Sequence, residues 1–291
     1  MEEKTVALLG TGIMGSAMGA NLLANGMNLR VWNRTREKAE PLESEGATIA
    51  DSPADAVRGC GFVLTMLHDA AAVDAAMSGD RGALEAMGAD ALWLQCSTVG
   101  VDATQRLADA AERHDVGFVD VPVLGTKKPA QEGKLVALAS GSADLEARCR
   151  PVLLAAGAHK VLWLGPAGTG SRLKLVMNSW VLALVGAVAE AVALAEGLGL
   201  EPQLFLDVLE GSQLDCPYAH IKAAAMTRRA LEPSFPASGA RKDAGLILDA
   251  ARQVGVRADV VAAVCDKFQR TIDGGHGDED MAAAYFATVA D

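Results

Sequence analysis

Three glycines set the tightest limit on what this chain can fold into. In VALLGTGIMGSAMGANLLANG, residues 6–26, Gly10, Gly12 and Gly15 follow a β-rich run and open a helical one in the order G-x-G-x-x-G. In that setting the first glycine permits a tight turn. The second lets a ligand approach the backbone, and the third lets the helix pack closely on the strand. Free N–H groups and the dipole at the helix start favour an anion. A plain glycine-rich turn has the same letters. The strand before it and the helix after it favour a dinucleotide whose pyrophosphate rests on Gly10, Gly12, Ile13, Met14 and Gly15.

Short β-rich runs continue beyond this loop with helical segments between them. They are TVALLG (5–10), NLRVWN (28–33), FVLTML (62–67), ALWLQCS (91–97), GFVDVPVL (117–124), LVALAS (135–140) and KVLWLG (160–165). Such alternation implies a mainly parallel sheet covered by helices on both faces, and strands apolar almost throughout fit burial on both sides. After Gly165 the pattern turns helical, near 170–197, 202–210, 217–229, 241–254, 258–272 and 278–289. The expected architecture is α/β: a Rossmann-type, doubly wound, mainly parallel sheet over residues 1–165, then an all-α domain over 166–291. The long helix connects the two.

A net charge of -11 over 291 residues, with no local basic patch, argues against nucleic acid and leaves a small molecule as the expected partner. The five cysteines are scattered without a Cys-x-x-Cys pair and read as reduced thiols of a cytoplasmic chain. The start MEEKTVALLG lacks the basic and apolar regions of a secretory signal. The uncharged run from Leu175 to Ala189 is shorter than the ~20 apolar residues of a bilayer span, so no membrane partner is expected. No metal site is expected either.

The second strand ends in VWNRTREK. A site for NAD usually carries an acid here, about 20 residues after the loop, to accept hydrogen bonds from the ribose 2′-hydroxyl. This chain has Asn33, Arg34 and Thr35 instead. With no carboxylate to repel a 2′-phosphate and a guanidinium to grip it, NADP is expected over NAD. The bland alternative is that these charges only solvate the next helix.

In GSRLKLVMNSW, Lys174 and Asn178 stand at i and i+4, on one helical face. A lysine near a helix start gains nothing from the macrodipole. Two accounts stand. Its stem covers apolar surface while the ammonium reaches water, or it faces a nicotinamide in a cleft between domains and serves as a general acid or base.

Five ordered blocks resemble the β-hydroxyacid dehydrogenase family, which includes 3-hydroxyisobutyrate dehydrogenase and the glyoxylate and tartronate semialdehyde reductases, with 6-phosphogluconate dehydrogenase more distant. They are LGTGIMGSAMGANL, with Thr11 where the family usually has leucine; TML at 65–67; CSTVG; GSRLKLVMN; and ARKDAGLILDAA. The resemblance implies a hydride transfer between nicotinamide and a small β-hydroxy acid or its aldehyde or keto partner. It makes Lys174 the general acid/base and gives Asn178 the substrate. Met66, Leu67, Thr98 and Lys242 are set against the cofactor, and Ser97 at the substrate. Imine reductases share the architecture but generally lack this lysine. A cofactor-binding scaffold without chemistry is the alternative of a different class. Relatives assemble through the helical domain, so a homodimer or homotetramer is expected.

One block departs from the family pattern. Where the family typically has Asp-Ala-Pro-Val-Ser-Gly-Gly, this chain has DVPVLGTKKPAQEGKL. Leu124 removes a hydroxyl and Thr126 stands for the second glycine. Gly125, Thr126 and Lys127 are the candidate substrate contacts, with Lys127 or Lys128 supplying a cation for an anionic substrate; the other reading leaves both lysines in solvent. His68 follows TML as a loop residue or as a neighbour of the nicotinamide.

Overall fold

The computed structural model describes residues 5–289; residues 1–4 and 290–291, at the outer ends of the two expected domains, lie outside the described residues. The chain forms two compact units, residues 1–174 and 175–291.

The first unit is built on β1 (Thr5–Leu9), β2 (Asn28–Trp32), β3 (Thr48–Ile49), β4 (Phe62–Thr65), β5 (Leu92–Gln95) and β6 (Gly117–Asp120). They form one parallel sheet in the order β3-β2-β1-β4-β5-β6. Alternate residues go to opposite faces, as the two-residue strand period requires. Val6, Leu8, Leu64 and Leu94 enter one core, and Ala7, Leu9, Val63 and Trp93 enter another. That is why these strands lack a polar face. The order reverses between β1 and β4, where doubly wound sheets open a crevice for a ligand.

A second sheet joins β7 (Val123–Leu124), β8 (Leu135–Ala139) and β9 (Ala158–Trp163). The run expected as one strand over 117–124 is therefore two, in different sheets. Pro122, with no N–H to donate, stands between them. Val121 N still donates to Gln95 O in the first sheet at 2.8 Å, while Pro122 O already accepts from Leu138 N in the second at 2.9 Å. The two-residue β3 was not anticipated.

The helix Thr169–Gly197 continues from the first unit into the second. The compact units divide after Lys174, with Gly170 and Ser171 bonded to Ser140 and Asp120 of the first unit. Within the second unit follow helices Pro202–Leu209, Pro217–Arg228, Ala237–Gln253 and Asp259–Thr271. The third starts before the expected residue 241, directly after Pro236. No continuous helix spans 278–289. Two short turns occur instead, Ile272–His276, which contains a break at Gly275 with φ 90°, and Met281–Tyr285. Asp280 holds this region. Its buried carboxylate pairs with buried Lys222 at 2.6 Å and accepts from Ser234 Oγ at 2.6 Å and Ala282 N at 3.0 Å.

Candidate functional site

The glycine loop has the geometry its spacing implies. Gly10 has φ 108°, and a Cβ there would lie 2.3 Å from Met66 O. A Cβ on Gly15 would lie 2.0 Å from Gly10 O, whereas one on Gly12 would meet nothing within 4 Å. Two glycines are thus demanded by protein packing. The third faces open space at the start of helix Ile13–Ala24, where a pyrophosphate fits. Ile13 and Met14 are half-buried in the first turn. Asn33 ties the loop to the end of β2: its Oδ1 accepts from Thr11 N at 3.0 Å, and its Nδ2 donates to Thr35 O at 2.8 Å. Its side chain acts first as a brace. Arg34 and Thr35 are exposed, and among the described residues Arg34 has no ion pair, whereas Arg36 is paired with Asp51 at 3.0 Å.

Met66 and Leu67 are half-buried after β4. Ser97 supports them from below: its Oγ accepts from Leu67 N at 2.8 Å, and Gln95 holds Ser97 N and O, each at 2.8 Å. Ser97 is buried, and its hydroxyl is used within the protein as a brace for the segment after β4. Thr98 beside it is half-buried, and His68 is exposed.

Lys174 Nζ donates to Val123 O at 2.8 Å. One turn earlier, Ser171 donates to Asp120 through both its N–H and its hydroxyl, at 2.7 Å each. Ser140 Oγ donates to the same carboxylate at 3.1 Å and accepts from Gly170 N at 2.9 Å. The helix start is thus satisfied by a buried acid from β6, an anion placed where the dipole favours one. Burial pushes the Asp120 carboxyl above its ordinary range despite the hydrogen bonds from Ser171 and Ser140.

In the second unit, Asn178 Nδ2 donates to Asp243 Oδ2 at 2.6 Å, and Lys242 Nζ lies 2.9 Å from Asp243 Oδ1. Asn178 and Asp243 are both buried. Two residues expected to serve substrate and cofactor therefore share one carboxylate. Lys174 and Asn178 remain one turn apart on a continuous helix.

In the altered loop, Gly125 has φ 123°, and a Cβ there would lie 2.6 Å from Leu135 Cδ2. Thr126 precedes the short helix Lys127–Gln131 without capping it through its side chain. Lys127 lines a cavity of about 500 Å³ with Thr11, Gly12, Ile13 and Lys38, so it shares a wall with the glycine loop. Lys128 lies 3.8 Å from Glu132. Among the described residues, no group of three His, Cys, Asp or Glu side chains is placed to hold a metal ion.

Sequence reasoning did not assign Asp120, Ser140 and Ser171. The available signal was an acid inside the apolar run GFVDVPVL, since a buried carboxylate must find donors.

Fold and loop together define a two-domain oxidoreductase that binds a nicotinamide dinucleotide. Residues 5–165 match the family described as the NAD binding domain of 6-phosphogluconate dehydrogenase. Residues 168–287 match the one described as NAD-binding of NADP-dependent 3-hydroxyisobutyrate dehydrogenase. The chain belongs to the β-hydroxyacid dehydrogenase family. It is 33% identical over 278 residues to glyoxylate/succinic semialdehyde reductase 1 of Arabidopsis thaliana, covering 96% of each chain. It is also 33% identical over 281 residues to 3-sulfolactaldehyde reductase of Escherichia coli (strain K12), covering 96% of this chain and 93% of that one. A solved structure of Mycobacterium tuberculosis 3-hydroxyisobutyrate dehydrogenase with L-serine is similar, at TM-score 0.87, 29% identity and 99% coverage of both chains.

Proposed function

We propose that the protein is an NADP-preferring oxidoreductase that interconverts a small β-hydroxy acid and its aldehyde or keto partner, with Lys174 as general acid/base. One observation carries the reading: Lys174 Nζ is held on Val123 O at 2.8 Å, in a helix whose start is anchored by Asp120. A lysine held on a backbone carbonyl in this way supports a positioned ammonium over a solvated stem.

When bound, the nicotinamide supplies or takes the hydride. In the reducing direction Lys174 gives its proton to the carbonyl oxygen that becomes the hydroxyl, and in the oxidising direction it accepts that proton. Asn178 binds the substrate, its carboxamide oriented by Asp243. Gly125 and Thr126 border the substrate, and Thr98 and Lys242 contact the cofactor, in keeping with the family resemblance. Arg34 and Thr35, exposed after β2 with no acid in the place an NAD site usually has one, support NADP. The names of the relatives, reductases of glyoxylate, succinic semialdehyde and 3-sulfolactaldehyde, favour a short aldehyde bearing an anionic group.

The test is NADPH oxidation over a panel of such aldehydes and keto acids, with NADH alongside. Lys174→Ala is expected to abolish turnover while leaving NADPH binding intact. Near-normal turnover of K174A overturns the mechanism, and silence across the panel despite tight NADPH binding favours a scaffold.

The protein is further proposed to assemble as a homodimer or homotetramer through the second unit. Val176, Trp180 and Leu194 of the long helix are 62–64% exposed and fall on one helical stripe, and Leu198 in the turn after it is 67% exposed. Such a stripe calls for cover, and a second copy supplies it.

A further inference from the structure

We propose that Lys127, with Lys38 and the Thr11 hydroxyl, holds a phosphate of the dinucleotide, so that the lysine of the altered loop serves the cofactor and not the substrate. This rests on the dinucleotide reading above.

Three observations meet at one cavity of about 500 Å³ in the first unit. Its walls include Thr11, Gly12, Ile13, Lys38 and Lys127, with Glu45 the one carboxylate among its lining residues. The start of the twelve-residue helix Ile13–Ala24 is on this wall, with Gly12 leaving the approach clear of any side chain. The two lysines stand on different segments, and among the described residues neither has an ion pair. Lys128, next along the chain, lies 3.8 Å from Glu132.

Thr11 is the second, independent pointer. It is 2% exposed, yet its Oγ1 has no hydrogen-bond partner in the protein. The backbone of the same residue is fully engaged: its N–H donates to Asn33 Oδ1 and its carbonyl accepts from Ser16 Oγ at 2.8 Å. Buried hydroxyls are normally paired, and this one belongs to a residue lining a cavity with two cations and a helix start. A phosphoryl oxygen would complete it. Leucine, the usual residue of the family at this position, cannot make that bond.

The third observation fixes where Lys127 begins. Asn21 of the glycine-loop helix donates through Nδ2 to Ala130 O at 2.7 Å, holding the segment Lys127–Gln131 on the cofactor side of the first unit. Two cations against one acid, beside free backbone donors, suit a phosphate, which lysine binds as a point charge.

The test measures dissociation constants for NADPH and NADH on wild type, K127Q, K128Q and T11V, and the KM of an active aldehyde at saturating NADPH. K127Q is expected to weaken cofactor binding on the order of tenfold, with K128Q within twofold and the aldehyde KM unchanged. T11V is expected to keep or raise thermal stability while weakening cofactor binding. Loss confined to NADPH assigns the 2′-phosphate, and equal loss for both assigns the pyrophosphate. Wild-type cofactor affinity in K127Q overturns the proposal, and so does a raised aldehyde KM as its sole effect. A wild-type protein that binds neither NADPH nor NADH fails at the dinucleotide reading itself, before any variant is compared.

Discussion

Asp120 and Ser171 are bonded twice, the serine N–H and hydroxyl each donating to the buried carboxylate at 2.7 Å. Three residues further along each segment, Lys174 Nζ meets Val123 O. The two contacts form a pair of rungs between the turn after β6 and the start of the long helix. The lower rung satisfies the helix start, and the upper one fixes an ammonium. The position of the Lys174 ammonium is therefore set from a buried acid one helical turn away.

Replacing Asp120 by asparagine keeps the volume but turns part of the acceptor into a donor facing Ser171. Destabilisation of about 2–3 kcal/mol is expected, and kcat is expected to fall more than NADPH affinity, since the glycine loop is separately braced by Asn33. Denaturation and single-turnover kinetics on D120N check both. Burial raises the Asp120 carboxyl, so its contribution to stability is full below the ordinary carboxylate range and is lost as pH rises through the raised value. The difference between wild-type and D120N stability curves should show that loss, and a flat difference counts against it.

Gly12 and Gly15 separate binding from folding. Gly12→Ala adds a Cβ that meets nothing within 4 Å, and Gly15→Ala adds one 2.0 Å from Gly10 O. G12A is expected to unfold within about 0.5 kcal/mol of wild type and to lose tenfold or more in NADPH affinity. G15A should lose both. Calorimetric binding and thermal melts on the pair decide it, and unchanged NADPH affinity in G12A would remove the pyrophosphate from this loop.

The α/β class with its mainly parallel sheet and the glycine loop were readable from the sequence because each has a local signature: apolar strands at regular intervals, and three glycines with distinct steric reasons. The Lys174–Asn178 spacing was equally local. What was not readable is pairing across the chain. Asp120 looked like one polar residue in a strand, and only its meeting with Ser171 makes it an anchor. The resemblance of CSTVG sets Ser97 at the substrate, and its bonds to Leu67 N and Gln95 have no signal in that block. Lys127 was assigned by its place in the loop, while Asn21, more than a hundred residues away, determines which wall it joins. The turns over 272–285 escaped because Asp280, not helix propensity, holds them.

Lys222 and Asp280 form a buried pair in the second unit, at 2.6 Å. Burial pushes Asp280 up, but the Lys222 ammonium and hydrogen bonds from Lys222, Ser234 and Ala282 outweigh it and leave the carboxyl below its ordinary range. Removing one partner strands the other, so D280N is expected to cost about 3–5 kcal/mol. Because the folded value is depressed, the stabilisation is present above the ordinary carboxylate range, near pH ~4, and is lost as pH falls through the depressed value. Urea midpoints of wild type and D280N should converge at low pH, and parallel curves would show that the pair is not the source.

Trp180 is the largest side chain on the exposed stripe of the long helix, 64% exposed, one turn after Val176 and on the same face as Leu194. The helix is long and apolar enough to cross a membrane by length and composition, but only 44% of its most apolar window is buried within the chain. The remaining apolar surface is what a second copy is proposed to cover. A tryptophan buried in such an interface contributes about 2 kcal/mol or more, and a carboxylate in its place leaves an unpaired charge on each side of a two-fold contact. Trp180→Glu is therefore expected to raise the subunit dissociation constant roughly thirtyfold or more. Light scattering should read a multiple of 30.1 kDa for wild type and a shift toward the single-chain mass for W180E. A wild type already at single-chain mass in dilute solution would leave the stripe to some other cover and end the oligomer proposal.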